Sequence, residues 1–276
     1  MQIRLSFGIL AEGKADFFMV NVCDIQVMKP LLEEHGFHFS KAKGQNFLIA
    51  SWVPQQIAED AGVDSTVGVL EIGPGIGPLT QQLALRAGKV CAVEVDNRLK
   101  PILDITVGEF SNLEIVWGDV LKQDIPNLVK EKLANLRPMA CANLPYYITS
   151  PILTALLEAD CFEAVTVMVQ KEVADRLSSN SKEGDYGAVT ASVSYYGKVE
   201  KLFNVSAGNF MPAPKVDSAV IQITLYEEPP VKVDDEKLDI EAITDEQIKE
   251  IVNKFILLYH SAPKNAIEMY FTLGRK

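Results

Sequence analysis

The sequence predicts an α/β fold, and three observations carry that prediction. Seven short β-rich runs recur along the chain: Val67 to Ile72, Val90 to Val95, Leu113 to Trp117, Pro138 to Cys141, Ala164 to Gln170, Val199 to Val205 and Val216 to Leu225. Stretches with helical spacing separate several of them, the alternation expected of a sheet covered by helices. Between the first run and the helix after it stands a glycine loop, Gly73-Pro74-Gly75-Ile76-Gly77-Pro78. Glycines let backbone approach a ligand closely, and a helix N-terminus supplies positive potential.

Composition bounds the rest. A chain of 276 residues can hold one large domain plus a small one. Hydrophobic residues make up 48% and charged residues 23%, as in ordinary soluble proteins. No run of 18 or more apolar residues occurs, so no transmembrane helix and no membrane partner are expected. Glu12, Lys14 and Asp16 break up the apolar start, so no signal-peptide core forms and a cytoplasmic location is expected. Cys23, Cys91, Cys141 and Cys161 are widely spaced without a CxxC pair. Zinc and other metals are therefore not expected, and buried free thiols are.

The net charge of −11 argues against a generic nucleic-acid coat. It is unevenly spread. Ten acids and three lysines between Glu227 and Glu250 give that stretch a net of −7, leaving −4 for the remainder. A local basic face on the main domain can still meet phosphate.

In chain order, residues 1–24 show no clear periodicity and read as a loosely held extension. Asp24 to His35 has helical spacing, with Ile25, Met28, Leu31 and Leu32 on one side. The loop that follows mixes aromatics, amides and two lysines. Lys41 and Lys43 either contact phosphate or are solvated loop residues. Ser51 to Ala61 and Leu79 to Arg86 read as helices. Glu94 ends the second strand 21 residues past Gly73, where an acid is placed to accept ribose hydroxyls; loop and acid together point to a nucleoside cofactor. The loop spacing is G-x-G-x-G, not the dinucleotide G-x-G-x-x-G. Asp119, after the third strand, suits either an adenine amine or a turn.

The fourth strand leads into Ala142-Asn143-Leu144-Pro145-Tyr146-Tyr147, ahead of a helix from Ile148 to Leu157. An amide, a proline-fixed turn and two aromatic rings thus sit at the carboxyl end of a strand, where open α/β sheets bind ligands. Asn143 offers an acceptor and a donor, and Pro145 holds Leu144 extended. A Tyr ring gives a flat face for stacking. These groups suit a planar base with an exocyclic amine; they equally suit a strand–turn–helix junction with core aromatics. Tyr186 to Gly197 reads as a helix with Tyr195 and Tyr196 in the core. Phe210, in a proline-set loop, is a hydrophobic plug or a second stacking ring. Glu227 to Lys237 reads as a linker, and Ile240 to Leu258 as one or two helices of a small domain. The expected division is 1–24, 25–226 and 227–276.

At this point the chain resembles the ribosomal RNA adenine dimethyltransferases. Gly44-Gln45-Asn46-Phe47-Leu48, Glu71-Ile72-Gly73-Pro74-Gly75-Ile76-Gly77, Glu94-Val95-Asp96, Gly118-Asp119, Asn143-Leu144-Pro145-Tyr146 and Phe210-Met211-Pro212-Ala213-Pro214-Lys215-Val216-Asp217-Ser218-Ala219-Val220 carry the resemblance in family order, across roughly residues 24–226. It implies a Rossmann-like methyltransferase fold with a seven-stranded, mostly parallel sheet and a small helical C-terminal domain. It implies S-adenosylmethionine as methyl donor, small-subunit ribosomal RNA or the 30S subunit as partner, and a monomer. Asn46 and Leu48 would cover the cofactor above Gly73, Glu94 would bind its ribose and Asp119 its adenine. Asn143 would lie between cofactor and target base, with Tyr146 and Phe210 sandwiching a flipped adenine.

The branch of the family acting on large-subunit RNA shares these motifs but is generally strongly basic, which the −11 charge disfavours. The sequence departs from the family at Ala50, where Asp is usual. It departs again at His260 to Ala266, where a basic helix is usual, so that end reads as truncated or altered. A non-catalytic assembly factor and a nucleotide-dependent oxidoreductase are the competing readings. The glycine spacing and the Asn-Leu-Pro-Tyr motif disfavour the second.

Overall fold

The computed structural model describes residues 19–37, 45–179 and 188–228. Lys41, Lys43, the start of the expected extension and nearly all of residues 227–276 lie outside the described residues. The elements follow the chain as α1 (Ile25–Glu34), β1 (Phe47–Leu48), α2 (Trp52–Asp60), β2 (Val67–Ile72), α3 (Pro78–Arg86), β3 (Lys89–Glu94), α4 (Lys100–Thr106), β4 (Leu113–Trp117) and α5 (Ile125–Lys132). There follow β5 (Arg137–Asn143), α6 (Thr149–Glu158), β6 (Ala164–Gln170), α7 (Lys171–Leu177), α8 (Ala188–Tyr196), β7 (Gly197–Val205), β8 (Phe210–Met211) and β9 (Ser218–Leu225).

Seven strands form one sheet in the order β4-β3-β2-β5-β6-β9-β7. The first five run parallel, while β9 is antiparallel to both β6 and β7. The predicted seven-stranded, mostly parallel α/β sheet is therefore present. All six residues of β2 are buried, as a central parallel strand covered on both faces requires. Side-chain alternation divides them: Val67 and Val69 join one core cluster with Met28, Ile57, Leu79 and Ile102, while Leu70 and Ile72 join the other with Leu128, Ile152 and Leu156. Helices α1 to α4 thus cover one face, and α5 and α6 the other.

Local chemistry starts the helices where they start. The Asp24 carboxylate accepts from the Gln26 N–H at 2.8 Å and caps α1, and Asp124 does the same for α5 through Asn127. Gly77 takes φ +94° to turn the chain into α3, with Pro78 in the first turn. Helices α4, α5 and α7 have only seven or eight residues each, too few for a helical period to show in the sequence.

The structure moves some expected boundaries. Val22 and Cys23, assigned to a loose extension, are buried in the core, and the Gln81 side chain donates to the Val20 carbonyl at 2.9 Å. The folded unit therefore begins before residue 24. The last strand starts at Ser218 rather than Val216, which is 45% exposed, and Gly197 opens β7 instead of closing a helix. Three of the cysteines are buried free thiols, while Cys161 is half-buried. No helix among the described residues is long and apolar enough to cross a membrane.

An added Cβ at Gly77 would lie 2.7 Å from Val107 Cγ1 and 3.1 Å from Thr106 Oγ1, on backbone that L-residues rarely adopt. Gly77→Ala is expected to cost on the order of 1–3 kcal/mol of stability in urea denaturation; an unchanged midpoint would contradict this account of the turn.

Candidate functional site

Strand order reverses between β2 and β5, with β3 and β4 on one side and β6, β9 and β7 on the other. The crevice at the carboxyl ends of such a pair is where open α/β sheets hold ligands. On the β2 side the glycine loop is shaped by hydrogen bonds to β3. Gly73 takes φ +69° and donates to the Val93 carbonyl at 2.9 Å. Gly75, at φ +62°, donates to Glu94 Oε2 at 3.2 Å, and the Asp96 N–H donates to Glu94 Oε1 at 2.8 Å. Glu94 is only 5% exposed. Burial pushes its carboxyl upward, opposed by these backbone donors. Each carboxylate oxygen has a second lone pair, so the loop contacts leave capacity for a ligand hydroxyl.

The next strand end is tied in by the Gly118 N–H, which donates to the Glu94 carbonyl at 2.8 Å. Asp119 follows at the same edge, half-buried. Its Oδ1 accepts from the Leu121 N–H at 3.1 Å and caps a short turn. The turn role is thus present, and among the described residues Oδ2 pairs with the Lys122 ammonium alone, at 3.9 Å.

The segment carrying Asn46 and Leu48 lies over the glycine loop. An added Cβ at Gly75 would meet the Phe47 ring at 3.4 Å. Leu48 is 1% exposed, and Asn46 is half-buried. β1 pairs antiparallel with β8, placing Leu48 opposite Phe210. A side-chain clasp holds this layer. Arg98 binds Asp96 through two contacts of 2.8 and 2.6 Å, Gln45 donates to Asp96 Oδ2 at 3.1 Å, and the Arg98 guanidinium sits 5.0 Å from the Phe37 ring centre. Phe37 in turn packs on Phe47, with ring centres 5.9 Å apart.

On the β5 side, register decides the geometry. Ile72 pairs with Ala142, so Gly73 and Asn143 leave neighbouring strands at the same level. Asn143 ends β5, half-buried, opposite Met168 of β6. The Leu144 N–H donates to the Met168 carbonyl at 3.2 Å and its side chain is buried. Tyr146 is half-buried, its hydroxyl 2.8 Å from Ser218 Oγ at the start of β9. Burial raises the Tyr146 phenol, and the nearby Asp217 charge adds to this. Tyr147 is 55% exposed. Phe210 is 4% exposed and belongs to the same core cluster as Phe47 and Leu48. Gly73, Glu94 and Asn143 are thus brought to one edge. Tyr146 is anchored from β9, and Phe210 is buried in β8, paired beside β1.

Glu71 stands in the motif before the glycine loop with no role evident from the sequence. It is 1% exposed within the all-buried strand β2, and its Oε2 has no hydrogen-bond partner among the described residues; nor has the Thr80 hydroxyl. A carboxylate inside an otherwise apolar strand was the available signal. Burial raises Glu71 to about 8 and the Glu94 charge adds to it; the Thr80 hydroxyl lies close by and works the other way without reaching hydrogen-bond geometry. Ser218, which steers the Tyr146 ring, was also missed. Its partner lies 72 positions away, beyond any local pattern.

The Glu71 shift has a definite sign. The folded protein keeps a proton that the unfolded chain releases near the ordinary value of 4.5. Stability linked to this group is therefore complete at low pH and is lost as pH rises from about 4.5 toward about 8. Glu71→Gln should remove that loss. The melting temperature of the variant minus that of the parent is expected to be small at about pH 5 and clearly positive at about pH 9. A difference that does not change with pH would contradict the assignment.

A sequence model described as ribosomal RNA adenine dimethylase matches residues 36–254. The chain is 46% identical over 217 residues to the ribosomal RNA small subunit methyltransferase A of Geobacillus thermodenitrificans, spanning 78% of this chain and 74% of that protein. It is 46% identical over 220 residues to the Streptococcus mutans protein of the same name, 79% and 75% of the two chains. Among solved structures, the 23S rRNA methyltransferase ErmE superposes with a TM-score of 0.57 at 32% identity, covering 68% of this chain and 73% of that one. A dimethyladenosine transferase from Plasmodium falciparum gives 0.56 at 31%, covering 66% and 64%. Matched through most of its length by the family's sequence pattern and by relatives at nearly half identity, the chain belongs to the ribosomal RNA adenine dimethylase family.

Proposed function

We propose that this chain transfers methyl groups from S-adenosylmethionine to the N6 amines of two adjacent adenosines near the 3′ end of small-subunit ribosomal RNA. The observation that carries this reading is the β2–β5 register, which sets the glycine loop beside Asn143. The names of the 46%-identical relatives favour the small subunit over the large one.

The corner fits the cofactor. An added Cβ at Gly73 would meet nothing within 4 Å, so there is room over the loop for a ligand to lie against backbone. Two buried carboxyls, Glu71 and Glu94, stand close enough for one to raise the other, and Glu71 keeps an orphaned oxygen. A cationic group beside Glu94 would favour its charged form. Glu94 would hold the ribose, Asp119 the adenine, and Asn46 and Leu48 would cover the bound molecule. S-adenosylmethionine supplies an electrophilic methyl on its sulfonium.

The protein's residues do the remainder. The N6 lone pair of adenine is delocalised into the ring and is a poor nucleophile. Acceptors from the Asn143 side chain and the Leu144 carbonyl would hold the N6 hydrogens out of the ring plane, localising that lone pair. Catalysis is then chiefly positioning and electrostatics. The methylated ammonium is acidic and can lose its proton to water, so no strong base is needed. Flipping the adenosine costs a few kcal/mol. Stacking at about 1–3 kcal/mol per ring offsets this. Tyr146 presents one face, held by Ser218. Phe210 would present the other once the entering base displaces the packing over it.

Labelled-methyl transfer to small-subunit RNA tests the proposal. Tyr146→Ala is expected to lower kcat/KM by roughly 10- to 100-fold, the equivalent of one lost base stack. Asn143→Ala should fall at least as far, with circular dichroism unchanged in both. Tyr146→Phe keeps the ring and should retain most of the activity. Parent-level transfer by Asn143→Ala would overturn the site assignment. Absence of transfer by the unaltered protein would favour a non-catalytic assembly role instead.

A further inference from the structure

We infer that the open cleft beside Tyr146, between the start of α7 and the loop before β9, is the seat for the RNA backbone next to the target adenosine, with Lys215 as its phosphate contact. The inference rests on the reading of the site given above. The cleft has a volume of about 630 Å3 and is lined by residues including Lys171, Asp175, Arg176, Lys215 and Asp217. It opens at the same sheet edge as the base site. Gln170, one of its lining residues, pairs with Ser218, whose hydroxyl contacts that of Tyr146. The Lys171 N–H donates to the Asp217 carbonyl at 2.9 Å, and Asp217 lies near enough to Tyr146 to raise its phenol. One wall thus separates the stacking ring from the cleft.

The charges in the cleft are arranged for an incoming anion. Lys215 is exposed on the loop and has no hydrogen bond or ion pair among the described residues. Asp175 is held by two lysines, Lys171 at 2.7 Å and Lys201 at 2.6 Å. Lys171 can therefore turn to a phosphate while Asp175 keeps Lys201. Arg176 pairs with Glu172 at 3.1 Å, but the Glu172 side chain is 84% exposed and such a pair is weak. The Asp217 carboxylate, the remaining acid, accepts from the Ala207 N–H at 2.9 Å and serves the loop itself. Lys171, Arg176 and Lys215 line the cleft with Glu172, Asp175 and Asp217, and each of these acids already has a partner, Lys201 of β7 reaching Asp175 from outside the lining. Phosphate contacts fix register without reading sequence. A flipped nucleotide needs that register, because its own stack no longer holds it.

Salt dependence of binding isolates the effect. The probe is in vitro transcribed, unmethylated small-subunit RNA, titrated with the full chain between about 50 and 200 mM KCl. Lys215→Ala is expected to weaken binding several-fold at the low-salt end and to lower the slope of log affinity against log salt by roughly 0.7–0.9, one phosphate contact. Lys171→Ala combined with it should lower the slope by about twice that. Lys215→Arg should restore the parent slope, and affinity for S-adenosylmethionine should not change in any of them. Lys130→Ala, on the last turn of α5 toward the opposite edge of the sheet, serves as the control with an unaltered slope. An unchanged slope in Lys215→Ala, or a loss equal at every salt concentration, would overturn the inference while leaving the methylation reading intact. Failure of the unaltered protein to bind or methylate this RNA would overturn both.

Discussion

Because β2 and β5 run parallel and in register from Val67–Arg137 to Ile72–Ala142, two loops of unlike chemistry leave the sheet side by side. One is all backbone: glycines at positive φ whose lack of a side chain lets a ligand lie close against the chain. The other is all side chain: an amide, a buried leucine and a tyrosine. A one-residue slip of register would turn every side chain of the strand to the other face and part these loops. The site is therefore a property of the sheet's central pair more than of either loop. Burial of β2 on both faces is what makes that register unique.

The same corner concentrates buried charge. Glu94 satisfies its oxygens with the backbone of Gly75 and Asp96, so it shapes the loop before any ligand arrives. Glu71 has no such recompense, and burial holds its carboxyl well above the usual carboxylate range. A buried, partly satisfied acid lowers stability, and such costs cluster where a protein binds something. Around this corner the clasp of Gln45, Asp96, Arg98 and Phe37 sets the height of the β1 segment over the glycines. Tyr146 is positioned from the far side by Ser218. Both supports come from elements remote in sequence.

That remoteness explains what the sequence could and could not tell. Val67–Ile72, Leu113–Trp117 and Ala164–Gln170 were readable to the residue, because each is an apolar or β-branched run bounded by turn residues. The glycine loop and Glu94 were readable because their spacing is local. The short helices α4, α5 and α7 offered too few turns for a period, and β1 and β8 are two residues each, defined only by their mutual pairing. The seventh strand began two residues late because Val216 looks like strand but faces solvent. Burial of Val22 and Cys23 was missed because they precede α1 and the core they join is built from elements far along the chain, such as α3 and β3. The likeness of the motifs to a known family bridged these gaps, and it named Tyr146 and Phe210 as a pair. Neither the hydroxyl contact to Ser218 nor the burial of Phe210 in a strand paired with β1 was visible in it.

The claim that most needs testing is geometric: that a purine is held between Tyr146 and Phe210 with its amine against Asn143. A crystal structure of the protein with S-adenosylhomocysteine and adenosine monophosphate measures it directly. The account predicts the adenine ring stacked between those two side chains, with N6 about 3 Å from the Asn143 side chain and from the Leu144 carbonyl. A purine bound elsewhere on the sheet edge, or a Phe210 ring that stays in the core while the base lies on Tyr146 alone, would contradict it.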